Sequence, residues 1–117
     1  MPDREIRRGD IWWVEFDPVR GSEQGGTRPA LVLQNDVGNR SSSVTIVAAI
    51  TSQVRHAYPF QIEIAPEESG LDRRSLTLLN QLRTVDKSRL IRRAGHLSAA
   101  RMLDVERAIK RSLGMVT

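Results

Sequence analysis

The 117-residue sequence contains no cysteine. Disulfide bonds, thiol nucleophiles and cysteine-ligated zinc sites are therefore excluded, and a reducing cytoplasm is the expected location. No apolar run approaches the roughly 18 residues that a membrane-spanning helix needs, and residues 1–10 are too charged for a secretory signal. We therefore expect one globular domain over residues 1–117 and no membrane partner.

Histidine is nearly as scarce, since His56 and His96 are the only two. Two histidines can form an acid–base pair for RNA cleavage, but one lies in a predicted loop and the other beside a predicted helix start. The carboxylates are not spaced with a histidine as metal ligands would be, so neither a metal nor another cofactor is expected. Motifs of nucleotide-binding proteins, zinc proteases and serine hydrolases are missing from the sequence.

Charge is the first informative feature that is present. Lysine and arginine total 18 against 14 acidic residues, and Lys87 and Lys110 are the only lysines, which leaves 16 arginines. The planar guanidinium fork suits phosphate groups and stacks on bases. A small basic domain therefore favours a nucleic-acid partner, and the alternative is a solvated surface that reflects genome composition.

Short apolar runs between glycine, proline, asparagine and aspartate predict a strand-rich domain. Along the first run, 11–16, the residues Trp12, Val14 and Phe16 alternate and are predicted to face the core. Trp13 is predicted to face the other side. Asp17-Pro18 ends this strand, and a glycine-rich loop is predicted over 19–28. Further strands are predicted at 30–34 (opened by Pro29), 44–51 (central in the sheet), 59–65 and 75–85 (one strand or two short ones), with a polar loop over 36–43.

A helix is the last predicted element. Ser98 is a good N-cap, and Gly114 is suited to end the helix. Between them, apolar residues at spacings of three and four are expected to pack on the sheet: Met102, Val105, Ile109 and Leu113. Together these elements predict an α+β fold, a small curved antiparallel sheet with one C-terminal helix.

Arg28 is the first candidate for chemistry, because it ends the glycine-rich loop directly before Pro29. Proline restricts the preceding residue to extended conformations, so we expect a guanidinium held at the start of a strand. A preorganised cation is what a phosphoryl transition state requires. The alternative is a surface arginine that pairs with Glu23 or Asp17.

Polar side chains on other predicted strands are candidates for binding. Thr51 and Ser52 end the central strand, where hydroxyls either hold a phosphate oxygen or cap a turn. Gln81 and Arg83 share one face of their strand, where they either contact bases and phosphates or are simply solvated.

Aromatic residues make up only 4% of the chain. Trp13, Tyr58 and Phe60 are candidates for stacking on single-stranded bases. The alternation of Phe60 with Ile62 and Ile64 predicts a core position for Phe60, which leaves Trp13 as the better stacking or interface candidate.

Several segments closely resemble the MazF/PemK family of toxin endoribonucleases. They occur in the expected order between about Arg7 and Gly114: Arg8–Val14, Gly21–Pro29, Gln34–Asp36, Ala49–Ser52, Leu79–Lys87 and Gly95–Ser98. The glycine-rich loop followed by Arg28-Pro29 is the most specific of these segments.

This resemblance implies an SH3-like barrel with a C-terminal helix that works as a homodimer. It also implies metal-independent cleavage of single-stranded RNA, especially mRNA, at a short sequence, with 2′,3′-cyclic phosphate and 5′-hydroxyl products. The implied catalytic residues are Arg28 and Thr51. The implied or suggested RNA-binding residues are Ser52, Gln81, Glu23, Trp13 and Arg83. The implied protein partner is a cognate antitoxin with an acidic tail that occupies the RNA groove.

Two departures from the family pattern affect sequence specificity rather than reaction class: Trp12, and the short loop that ends in Tyr58-Pro59-Phe60. The general base is left open between Glu23, His56 and a mainly electrostatic mechanism. The alternative functions are a non-catalytic nucleic-acid-binding barrel and a topoisomerase-inhibiting toxin of related fold.

Overall fold

The computed structural model of the chain describes residues 4–16 and 26–115. The strands and helices in these ranges are β1 (Asp10–Glu15), β2 (Thr27–Val32), α1 (Asp36–Ser41), β3 (Val44–Thr51), β4 (Gln61–Ile64), α2 (Pro66–Ser69), β5 (Ser75–Asp86), β6 (Leu90–His96) and α3 (Ala99–Leu113). The strands form one antiparallel sheet in the order β4-β5-β3-β2-β1-β6. The predicted α+β fold is confirmed, as is the internal position of β3.

The sheet curls until its two edges approach each other. α2 follows the edge strand β4, and Gly70 at the end of α2 contacts β6 at the opposite edge. A methyl group on Gly70 would lie 2.0 Å from the carbonyl oxygen of Ala94, and one on Gly95 would lie 2.2 Å from that of Ser69. Because only glycine permits this approach, these positions close the curved sheet that the sequence predicts into a half-barrel.

The helix α3 covers one face of the sheet. Ser98 caps it as predicted, since its hydroxyl accepts a hydrogen bond from the backbone N–H of Arg101 at 3.2 Å, and Gly114 ends it with φ of 69°. The helix buries Met102 and Val105 against the sheet residues Ile11, Leu31, Ala48, Ile50, Ile64 and Leu79. Each fully buried aliphatic side chain contributes roughly 1.5–3 kcal/mol. The predicted stripe ends early, however, because Leu113 is 57% exposed.

The first strand has the predicted alternation. Trp12, Val14 and Phe16 are buried in a second cluster on the opposite face of the sheet from α3. Trp13 is half-buried and packs at the edge of the α3-side cluster. Both faces of β1 are therefore covered, and Trp13 retains an accessible part.

Three segments differ from the sequence-based expectations. The polar loop over 36–43 contains the short helix α1, which forms because the Asn35 side chain accepts a hydrogen bond from the N–H of Gly38 at 2.8 Å. β2 begins at Thr27 instead of at Pro29, because β1 pairs with it from Glu15 onward. β6 was not predicted, and its pairing with β1 stabilises it.

No helix in the described ranges combines the length and the apolar character needed to span a membrane.

Candidate active site

The pairing of β2 with β3 determines the relative position of the two predicted catalytic residues. Ala30 lies opposite Ala49 in this antiparallel pair. Arg28 precedes Ala30 by two residues and Thr51 follows Ala49 by two, so alternation places both side chains on the face of the two alanines. Extending this register by two residues sets Arg28 opposite Thr51, and residues paired in this way typically have Cβ atoms about 5 Å apart. We therefore infer that the two residues lie near each other at this end of the sheet.

Thr51 presents its hydroxyl from a restrained position. The residue is buried, and its Oγ1 accepts a hydrogen bond from the N–H of Gln53 at 3.2 Å. A hydroxyl has one donor and two acceptor positions, so this contact occupies an acceptor position and not the O–H. The Thr51 O–H is chemically suited to donate to an oxyanion.

Arg28 is exposed and lies inside β2, where its backbone pairs with Val14. The sequence predicted an arginine just before the start of the strand, and the structure places Arg28 within the strand. Pro29 is tolerated next to it because the recorded pairing of β2 with β3 starts only at Ala30. The backbone that carries the guanidinium is thus fixed by both the proline and the sheet.

A cleft of about 250 Å³ opens beside Arg28. Its lining contains three of the predicted site residues, Arg28, Ser52 and Trp13. The other lining residues are Thr27, Pro29, Ile50, Leu71, Asp72, Arg73 and Ser75. The cleft therefore combines an apolar lining with cationic and hydroxyl groups, a composition typical of small ligand sites.

The sequence analysis missed Asp72 and Arg73 in this cleft. Both are exposed and precede β5. They come to the site because Leu76 of β5 pairs with Thr51 at the end of β3, which brings the segment before Ser75 to the same end of the sheet. That pairing joins residues distant in sequence, so no local pattern indicates it.

Trp13 contacts the cleft through an indole that is partly covered by Arg92. The Arg92 guanidinium lies 5.3 Å from the centre of the ring. Such cation–π contacts hold an aromatic ring in place while leaving part of it accessible. Trp13 is thus a firmly placed element of the cleft wall.

Gln81 and Arg83 lie on β5, where both are half-buried. Arg83 pairs with Val47, four residues before Thr51 on β3, or roughly 13 Å along the strand. Its guanidinium donates to the carbonyl oxygen of Phe16 at 2.9 Å and lies 5.5 Å from the Phe16 ring centre. Arg83 therefore has a structural contact at the end of β1, while RNA binding by Arg83 and Gln81 stays a prediction.

Glu23 and Asp17, which were considered as partners of Arg28, lie outside the described residues. The two histidines have separate surroundings. His56 packs edge-on against Tyr58 with ring centres 5.1 Å apart. His96 forms a 2.7 Å contact between Nδ1 and Oδ1 of the buried Asp10.

Asp10 explains why His96 is held in this position. Its second carboxylate oxygen accepts hydrogen bonds from the N–H of Arg7 at 2.9 Å and from Nε1 of Trp12 at 3.2 Å. A buried carboxylate needs such partners. Asp10 therefore ties the first strand to β6 and to the N-terminal segment, which is a structural role.

Within residues 4–16 and 26–115, no group of three or more histidine, aspartate or glutamate side chains is arranged to hold a metal ion.

The sequence is similar to known proteins over nearly its whole length. A family model described as "PemK-like, MazF-like toxin of type II toxin-antitoxin system" matches residues 7–113. The chain is 46% identical over 112 residues to Endoribonuclease EndoA of Bacillus subtilis (strain 168), covering 95% of this chain and 97% of that protein.

Solved structures have the same fold. MazF of Deinococcus radiodurans (Form-I) superimposes with a TM-score of 0.82 at 29% identity, covering 97% of this chain and all 100% of that one. A MazE-MazF structure from the same organism (Form-II) gives a TM-score of 0.78 at 29% identity, with the same coverage.

Proposed function

The chain belongs to the family of PemK-like, MazF-like toxins of type II toxin–antitoxin systems, and we propose that it cleaves single-stranded RNA, chiefly mRNA, at a short sequence. It is an endoribonuclease toxin by this membership. The proposal treats residues 1–117 as one domain that acts in the cytoplasm without a metal or other cofactor. The choice of catalytic residues is supported by the pairing of Ala30 with Ala49, a register that sets Arg28 opposite Thr51 when it is extended by two residues.

The proposed reaction is in-line attack of the substrate's own 2′-hydroxyl on the adjacent phosphorus. The O2′–P bond forms, the P–O5′ bond breaks, the 2′-hydroxyl proton leaves to a base or to solvent, and the 5′-oxygen takes up a proton. The products are a 2′,3′-cyclic phosphate and a 5′-hydroxyl. Because the nucleophile is tethered to the phosphate, the reaction needs positioning rather than an activated water.

Arg28 and Thr51 have separate roles in this mechanism. The Arg28 guanidinium neutralises the negative charge that develops on the phosphorane and is positioned to assist departure of the 5′-oxygen. The Thr51 O–H donates a hydrogen bond to a nonbridging oxygen. Arginine carries no acceptor, so the proton of the 2′-hydroxyl needs another acceptor, for which Glu23 and His56 are the protein candidates.

The remaining site residues bind the RNA in this proposal. Ser52 and Trp13 line the cleft beside Arg28, where a hydroxyl suits a phosphate and an indole suits a base. Gln81 and Arg83 extend the surface along β5, and Glu23 contributes from the glycine-rich segment.

The proposed protein partners are a cognate antitoxin and a second copy of the chain. An acidic, extended antitoxin tail fits a surface that binds RNA, since both ligands are flexible polyanions. The net charge of +4 favours such partners. Sedimentation of the purified protein at micromolar concentration tests the homodimer, and a monomer there contradicts it.

The decisive test incubates the purified protein with a mixture of single-stranded RNAs in EDTA and identifies the ends of the products. Fragments with 5′-hydroxyl and 2′,3′-cyclic phosphate ends support the proposal, and DNA of the same sequence is expected to stay intact. RNA binding without cleavage supports a non-catalytic binding barrel instead. Intact RNA together with blocked DNA supercoiling supports a topoisomerase inhibitor.

A further inference from the structure

Tyr58, the only tyrosine in the chain, lies on the surface in a stack of rings. Its ring is nearly parallel to that of Phe60, with centres 5.4 Å apart and an interplanar angle of 14°. His56 packs edge-on against the same tyrosine. Tyr58 is 53% exposed, while Phe60, for which the alternation predicted a core position, is half-buried against it. An exposed ring with a rigid backing is a suitable surface for stacking.

A tight turn holds these two rings in place. The N–H of Gln61 donates to the carbonyl oxygen of Tyr58 at 2.8 Å, and the N–H of Tyr58 donates to Oε1 of Gln61 at 3.0 Å. Pro59 occupies the second turn position, which its fixed φ suits. The carbonyl oxygen of Phe60 accepts a hydrogen bond from the N–H of Leu79 on β5 at 3.1 Å. Because the turn is anchored to the sheet, little ordering is needed when a ligand binds.

Val54, in the segment 52–60 that leads to this turn, packs on the face of the sheet to which Arg28 and Thr51 are assigned by alternation. Val54 packs against Ala49, Leu76 and Leu78. Ala49 is the partner of Ala30, and both share a face with the two proposed catalytic residues. The segment begins directly after Thr51, so the aromatic turn is connected to the catalytic strand by a few residues.

The charge of this segment suits a polyanion. Residues 52–60 contain Arg55 and His56 and no carboxylate. Arg55 is exposed and is therefore accessible to phosphates on an RNA strand that reaches the aromatic turn.

We propose that Tyr58, backed by Phe60, is a stacking platform for one nucleobase that flanks the cleavage site of the RNA. This inference rests on the proposed function and adds a base-binding subsite to it. Exposed aromatic rings beside a cationic surface bind single-stranded bases by stacking. Every base has a π-face that can stack on the ring. The platform is therefore expected to hold a base at one position of the RNA strand with little discrimination between the four bases.

The test compares Tyr58→Ala with Tyr58→Phe on an RNA whose cleavage site has been identified by sequencing of 5′ ends. Tyr58→Ala is expected to raise KM about 10-fold, the size expected for one lost base–aromatic stack, with a smaller change in kcat. Tyr58→Phe keeps the ring and is expected to retain the wild-type KM. Leu103→Ala, which truncates a similarly exposed side chain on α3, is the matched surface control.

A second readout uses RNAs that carry an abasic nucleotide at single positions flanking the cleavage site. One abasic position is expected to weaken cleavage by the wild type and to have little further effect on Tyr58→Ala, because the variant has already lost that contact. The inference is overturned if Tyr58→Ala has the KM of the Leu103→Ala control, or if every abasic substitution affects wild type and variant equally. Failure of the wild type to cleave any RNA would instead overturn the proposed function.

Discussion

Ala30 and Ala49 face each other across β2 and β3, in a register that sets Arg28 opposite Thr51 when it is extended by two residues. Both alanines are buried. Because side chains alternate along a strand, slipping the register by one residue would turn one of the two functional groups to the opposite face. We therefore expect the placement of the guanidinium relative to the hydroxyl to depend on the register of the sheet.

The Thr51 hydroxyl is expected to contribute directly to the rate of RNA cleavage. Thr51→Val keeps the shape of this buried side chain and removes the O–H, so we expect the cleavage rate to fall on the order of 10²–10³-fold. Thr51→Ser keeps the hydroxyl and should retain most of the activity. Single-turnover rates of both variants provide the measurement, and equal rates for the two would contradict the role of the hydroxyl.

Closure of the half-barrel is expected to depend on glycine at position 70. Gly70→Ala places a methyl group 2.0 Å from the carbonyl oxygen of Ala94 at a φ of 78°, and we expect a loss of stability on the order of 3 kcal/mol. Gly114 is the matched control, since its φ is 69° and nothing lies within 4 Å of an added methyl.

Gly114→Ala should therefore cost only about 1 kcal/mol, the strain of the left-handed backbone alone. Denaturant unfolding of the two variants measures the difference. Equal losses in the free energy of unfolding would mean that the contact between α2 and β6 rearranges at little cost and does not hold the edges of the sheet together.

Acid sensitivity of the folded state is expected to depend partly on Asp36 at the start of α1. The backbone N–H of Arg8 donates to its carboxylate at 2.7 Å, and this hydrogen bond holds the pKa of Asp36 below its ordinary value. A depressed pKa in the folded state stabilises the fold at pH values above the ordinary aspartate pKa of about 4, and this contribution disappears as the pH falls further.

The difference in stability between the wild type and Asp36→Asn should accordingly shrink as the pH is lowered from 6 to 3. Thermal unfolding at several pH values checks this expectation. A difference that stays constant over this range would show that ionisation of Asp36 does not matter to the fold.

Local patterns predicted much of the fold. The alternation of Trp12, Val14 and Phe16 located β1 and its buried face, and Ser98 and Gly114 marked the ends of α3. These features depend on residues close in sequence. β6 has exposed arginines and few apolar residues and depends on its pairing with β1, so its own sequence gave little indication of a strand.

The sequence indicated individual candidate residues of the site, but it did not indicate how they are positioned relative to one another. The order of Arg28 and Pro29 and the end of the central strand at Thr51 are visible in the sequence. Their alignment follows from a pairing between strands, and the same holds for Asp72 and Arg73, which reach the cleft through β5. Contacts between residues distant in sequence have no local signature, which is why these two were missed.

Arg28 and Arg73 line the same cleft, so the catalytic role of Arg28 can be tested against a matched neighbouring arginine. Arg28→Ala and Arg73→Ala each remove one guanidinium from this cleft, and circular dichroism checks that both variants fold. The measurement is the single-turnover rate of RNA cleavage in EDTA at saturating protein. We expect Arg28→Ala to lower this rate on the order of 10²–10³-fold or more, while Arg73→Ala stays within a few-fold of wild type. A wild-type rate in a folded Arg28→Ala protein would contradict the catalytic role of Arg28.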